Sequence, residues 1–315
     1  MRLPHILLVF LAVGLSACEK MALLFTPAKK PILSTSELAK KAENYFWDTL
    51  HQGRYYDIPK ADYLLMAAYL ANPNDPKLAA RLGFIHIWKI TERKREAQQS
   101  PKITNEIVLA KKYFGDAVQL APENPIYQGF FGDSQLIEGK IFNDKREEVR
   151  GYYTLKRAIK RWPEFNYFTA GYPMSDLPAN SEHFQEALEW QWKVLDLCAG
   201  EKVSRDAPSF SKYMGHQTKL NRACQDSWIA PHNFEGFFMN MGDMLVKAGD
   251  WQTGIKIYQN AKLAKNYSSW PYRQLLEAKI KNAKENVGNF QKDLPNPDKT
   301  IMFNSGYGCV ICHQR

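Results

Sequence analysis

One set of small residues and prolines recurs at a fixed interval, and this recurrence leaves few folds open to the chain. Ala61, Ala68, Pro73, Pro76 and Gly83 reappear 49 residues later as Ala110, Ala117, Pro122, Pro125 and Gly132. Within each copy the gaps are seven, five, three and seven residues. Alanines seven apart share one face of a helix, where a small side chain lets a neighbouring helix approach closely. The first proline ends that helix, and the second opens the next one at its first turn. The glycine then falls inside the second helix, at a contact that only a minimal side chain fits. No run of alternating β-branched residues competes with this pattern, so the expected fold class is all-α.

These anchor spacings resemble those of the tetratricopeptide (TPR) repeat, with Ala68 to Pro76 and Ala117 to Pro125 similar to its helix-to-turn junction. The period of 49 exceeds the family's length of about 34, which places an insertion of about fifteen residues in the polar run 90–104. A third junction, Ala158 to Pro163, keeps the alanine-to-proline gap. A later copy carries Gly242, Gly249, Trp251, Tyr258 and Ala261, with Gly254 in place of the usual alanine and Asn266 in place of the usual proline. A weaker helix pair is marked by Phe184, Ala187, Trp190 and Val194. The resemblance covers roughly residues 37–285. It implies a right-handed solenoid of antiparallel helix pairs, each burying its apolar face by stacking on the next. It also implies a concave groove that takes a protein or peptide partner. No nucleophile elbow, phosphate loop or HExxH pattern is present, so no enzymatic activity is expected.

The N-terminus begins Met1-Arg2, continues as an apolar run from Ile6 to Ala17 and meets Cys18. The run is too short to span a bilayer but suits an export signal. Leu15-Ser16-Ala17-Cys18 resembles the processing site of bacterial lipoproteins, which implies cleavage before Cys18, lipidation of its sulfur and a stable membrane anchor. Glu19 in place of aspartate leans towards the outer membrane, with the protein facing the periplasm. The expected organisation is a signal peptide at 1–17, a lipidated N-terminus and tether at 18–36, a helical domain at 37–290 and a C-terminal tail at 291–315. Ser36-Glu37 marks the first folded helix. A net charge of +9, with both signs interspersed, names no partner and does not argue for nucleic acid.

Four cysteines remain: Cys198, Cys224, Cys309 and Cys312. Export places them in an oxidising compartment. Cys198 and Cys224 flank the long stretch that breaks the repeat, where a disulfide would contribute about 3.5 kcal/mol on a loop-entropy basis; two free core thiols are the other reading. The chain ends with Cys309, Cys312 and His313 in the order Cys-x-x-Cys-His. This pattern resembles the c-type haem attachment motif, which implies two thioether bonds from Cys309 and Cys312 and His313 as proximal iron ligand. Met302, His216 and His232 are the candidate distal ligands. A redox dithiol or disulfide competes with this reading, as does zinc, although zinc would lack a fourth ligand. The tail before the motif is rich in proline and glycine and reads as extended. The expectation is therefore a lipid-anchored, partner-binding helical scaffold with one haem c, exchanging electrons with a bound redox protein. The alternative is a non-redox envelope-assembly scaffold whose tail cysteines form a disulfide. A third reading is a chaperone for haem-attachment segments.

Overall fold

The computed structural model describes residues 21–22, 24–96, 98, 101–211, 214, 222–292, 296–303 and 305–315. The signal segment, Cys18 and His216 lie outside the described residues. No strand occurs among the described residues. The helices are α1 (Glu37–His51), α2 (Ile58–Ala71), α3 (Pro76–Thr91), α4 (Ile103–Leu120), α5 (Pro125–Phe142), α6 (Lys145–Arg161) and α7 (Pro163–Met174). They continue as α8 (Glu182–Ala199), α9 (Asn233–Lys247), α10 (Trp251–Asn260), α11 (Arg273–Lys281), α12 (Ala283–Asn289) and a last short turn, α13 (Val310–His313).

Side chains cap the starts of several of these helices. Ser36 accepts the Ala39 amide at 3.1 Å ahead of α1. Asp75 accepts the Lys77 amide at 2.8 Å, with Pro76 in the first turn of α3. Asn124 and Pro125 repeat the device for α5, the amide of Ile126 lying 2.9 Å from the Asn124 carbonyl. The second proline of each sequence copy is thus a helix starter with a capping side chain directly before it.

Successive helices pack on one another in chain order from α1 to α8, and α9 packs on α10, giving an all-α, solenoid-like body. The repeat glycines sit at its tightest crossings. A Cβ on Gly83 would overlap the Phe114 ring, and one on Gly132 would overlap Leu155 and the backbone of Gly151. In the late pair, Gly242 lies against the Tyr258 ring in the same way. The long connection from α8 to α9 is tied by a Cys198–Cys224 disulfide with Cα atoms 5.5 Å apart. Phe210, within that connection, is buried and donates its amide to Asn260.

The segment after α12 is irregular in backbone, as Pro297, Gly306 and Gly308 dictate, but it packs into the helical body. Val310 and Ile311 are fully buried. The buried ammonium of Lys279 on α11 contacts both carboxylate oxygens of Asp243 on α9, at 2.9 and 3.0 Å. The same ammonium donates to the Thr300 carbonyl at 2.6 Å. Tyr258 on α10 donates to Asp243 at 2.7 Å. One ion pair therefore joins three helices to the C-terminal segment. Lys279→Met leaves the Asp243 carboxylate buried without its cation and should cost about 3–5 kcal/mol, read from the urea midpoint. The double substitution Lys279→Met/Asp243→Leu removes the stranded charge and should recover more than half of that loss; a double variant no more stable than the single one refutes this account.

Candidate functional site

The inner faces of alternate helices and the C-terminal segment border a partly open chamber of about 610 Å³. Helix α1 contributes Phe46, Trp47 and Leu50, and α3 contributes Phe84 and Trp88. Helix α5 presents Ile126, Phe130, Asp133 and Ile137, at spacings of four, three and four residues that keep them on one helical face. Phe168 and Tyr172 come from α7, and Phe234 and Phe237 from α9. Phe84 meets Phe130 edge to face with centroids 4.5 Å apart, Phe168 and Phe237 are tilted at 5.7 Å, and Phe168 stacks on Tyr172 at 6.1 Å. Met302, Phe303, Cys309, Cys312 and His313 complete the wall.

A second hollow of about 520 Å³ adjoins the chamber and shares Trp47, Arg81, Trp228 and Ile229 with it. Its walls are more polar. Lys77 and Arg81 both pair with Glu43 at 3.0 Å, and Lys40 stands nearby. Trp228 is largely exposed and meets Trp47 at 5.1 Å and His51 at 5.0 Å.

The C-terminal segment is held in place mainly through its backbone. Glu92, fully buried at the end of α3, accepts the amides of Cys309 at 2.7 Å and Val310 at 2.9 Å. Its other oxygen pairs with Arg95 at 2.8 Å. Trp270 donates its indole N–H to Ile311 at 2.8 Å, and the His232 amide donates to Cys312 at 3.1 Å. The Arg315 amide reaches His51 on α1 at 2.8 Å. The segment thus bridges the first helix and the last helices. His313 Nδ1 lies 2.7 Å from the Ile229 carbonyl, which can only accept, so Nδ1 carries the proton and Nε2 is the bare acceptor.

The covalent haem c expected at Cys309 and Cys312, with His313 on the iron, is corrected by this arrangement. Among the described residues no group of three or more His, Cys, Asp or Glu side chains comes together in a way that could hold a metal ion. Cys309 and Cys312 are both free thiols. Burial, reinforced by Glu92 for Cys309 and by Glu235 for Cys312, raises both thiol pKa values far above the ordinary range. Cys309 Sγ lies 3.2 Å from the Thr91 hydroxyl, and Cys312 Sγ packs where a Cβ on Gly236 would fall. Of the candidate distal ligands, His232 is buried against Glu235 at 3.0 Å, and Met302 is a buried part of the chamber wall.

Several wall side chains, Trp88, Asp133 and Tyr172 among them, carry a buried polar atom with no hydrogen-bond partner among the described residues. Asp133 is only 5% exposed, and its Oδ1 has no hydrogen-bond partner among the described residues. Burial alone pushes its carboxyl well above the usual carboxylate range, favouring the uncharged acid. The buried Tyr172 hydroxyl is likewise without a partner, and burial raises its pKa well above the ordinary phenol. Sequence reasoning passed over both. The signal was present at Asp133, where an otherwise apolar stripe of Ile126, Phe130 and Ile137 is interrupted by an acid.

Two titrations near the C-terminal segment act in opposite directions. Burial pushes His313 down to about 4, so between the ordinary histidine value and 4 the unfolded chain holds a proton that the folded chain lacks. This term lowers stability as pH falls through that window. Burial, with Glu235 nearby, pushes Asp226 up to about 7, so the folded chain holds the extra proton down to the ordinary aspartate range. This term raises stability over that window. Comparing urea midpoints at pH 7.5 and pH 5, His313→Gln should be less acid-sensitive than the parent chain and Asp226→Asn more so; the reverse order would refute the assignment. No family model matches the chain, and no curated protein or solved structure matches it.

Proposed function

We propose that this protein is a helical-repeat carrier that encloses one bulky apolar small molecule between its inner helix faces and its C-terminal segment. The observation that carries the reading is the chamber itself. Native interiors are packed to crystal-like density, so a hollow of about 610 Å³ lined by aromatic side chains is not an ordinary packing defect. A sequence that lines such a volume with aromatic rings does so for an occupant. Its size and its few polar groups match those of small-molecule sites.

The chain's own C-terminal residues form part of the pocket wall, and this favours a small molecule over an extended peptide as occupant. Lipidation at Cys18 belongs to the same proposal. It would hold the chamber at a membrane surface facing the periplasm, where apolar molecules are most available. Palmitate labelling that persists in Cys18→Ala would remove this part of the reading.

Titration with the neutral fluorophore N-phenyl-1-naphthylamine tests the chamber directly. Saturable binding to one site is expected. Ile137→Trp, which fills part of the chamber, should weaken it at least about tenfold, since most of such a ligand's affinity comes from the apolar surface it buries. The circular dichroism spectrum should stay unchanged. Absent or non-saturable binding, or equal binding by Ile137→Trp, would sink the proposal.

A further inference from the structure

Arg81 borders both hollows, and among the described residues lining the chamber no other lysine or arginine occurs. On α3, Arg81, Phe84, Trp88 and Thr91 follow at spacings of three, four and three residues, which keeps them on one helical face. A cation therefore stands at one end of an uncharged inner stripe about 15 Å long. The side chain is held from two sides. Its Nε pairs with Glu43 at 3.0 Å, and its guanidinium carbon lies 4.7 Å from the Trp47 ring centre and 5.9 Å from that of Phe84, both rings of the chamber wall. The side chain keeps 15% of its surface although Nε has essentially none, and Nη1 and Nη2 make no hydrogen bond to a described residue.

The charges around Arg81 leave a place for an anion. Glu43 is one carboxylate between two cations, since Lys77 also pairs with it at 3.0 Å. Asp75 is taken up by backbone, accepting the amides of Ser34 at 2.6 Å, Lys77 at 2.8 Å and Leu78 at 3.3 Å where α3 begins. Lys40, on the same polar hollow, reaches outward to Glu37 at 2.7 Å. Resting on the carrier reading above, we infer that the occupant is an anionic amphiphile of the fatty-acid class, with its hydrocarbon along the inner stripe of α3 and its carboxylate on the outer nitrogens of Arg81. A guanidinium fork matches a carboxylate with two parallel hydrogen bonds, a geometry that an ammonium does not offer. A single negative charge balances the cation that Glu43 leaves over, whereas a phosphate monoester brings more charge than this junction offsets. A cationic amine would meet Arg81 with like charge. The acids of the chamber wall, Asp133 on α5 and Glu164 on α7, stand on other helices than Arg81.

The test uses probes that share one chain and differ in the head. Dodecanoate, dodecan-1-ol, dodecylamine and dodecyl phosphate are each titrated into the full chain at neutral pH, by displacement of N-phenyl-1-naphthylamine. Dodecanoate should bind at least about tenfold more tightly than dodecan-1-ol, a difference of about 1.4 kcal/mol. Arg81→Met keeps an unbranched side chain over Trp47 and leaves Glu43 paired with Lys77, so its circular dichroism spectrum should stay unchanged. In this variant dodecanoate should fall to the affinity of the alcohol or below, while the alcohol and the fluorophore change by less than about twofold. Arg81→Lys keeps the charge without the fork and should retain part of the preference. If Arg81→Met alters the spectrum, Arg81→Gln takes its place with the same expectations. Equal affinity of the acid and the alcohol in the parent chain, or an equal loss of both in the folded variant, overturns this inference and leaves the carrier reading standing. Tighter binding of dodecylamine or of dodecyl phosphate than of dodecanoate also overturns it. Failure of every probe to bind, the fluorophore included, overturns the carrier reading together with this one.

Discussion

Glu92 holds the fold closed. It sits at the end of α3 with no solvent exposure and gives one carboxylate oxygen to the amides of two residues more than two hundred positions away, Cys309 and Val310. Burying a carboxylate is costly unless it is paired and fully hydrogen-bonded, and here Arg95 supplies the pair. Without that acceptor, the first amides of α13 would face an apolar interior with nothing to satisfy them. The segment could not then lie across the concave side, and the chamber would be an open groove. The remaining backbone bonds to Trp270, His232 and His51 finish what this carboxylate makes feasible.

A stack of helix pairs has two free ends and one curved inner face, and repeat proteins generally leave that face open. In this chain the Lys279–Asp243 pair anchors residue 300 to α9 and α11, and the Arg315 amide reaches α1. The last stretch of the chain therefore connects the two ends of the stack. Connecting them adds a further wall to the inner face, so that the hollow there is deeper than an open groove.

The helical part of this architecture was legible because its determinants are local. Ala61, Ala68, Pro76 and Gly83 each act within a few residues of themselves or on the adjacent helix, and their spacing alone locates α2 and α3. The same holds for Asn124 and Pro125 at the start of α5. The C-terminal docking was not legible, because Glu92 looks like one more charge in a polar run from 90 to 104. Its burial is decided by residues far along the chain. The terminal Cys-x-x-Cys-His string misled for a related reason. A spacing of three places Cys309 and Cys312 on one helical turn whatever they serve, and only the surrounding fold decides whether further ligands converge on them. Among the described residues they do not.

Asp133 lay between these two cases. Its position in the pattern is local information: an acid where the stripe calls for an aliphatic residue is a departure from consistency between levels, and such departures mark functional sites. Recognising it requires knowing which face of α5 is interior, and the anchor Gly132 supplies that, since a glycine packed against Leu155 on α6 fixes the rotation of the helix. With that rotation known, Phe130, Asp133 and Ile137 turn together towards the hollow. Its Oδ1 is buried without a hydrogen-bond partner among the described residues, and leaving such an atom unpaired carries a desolvation penalty.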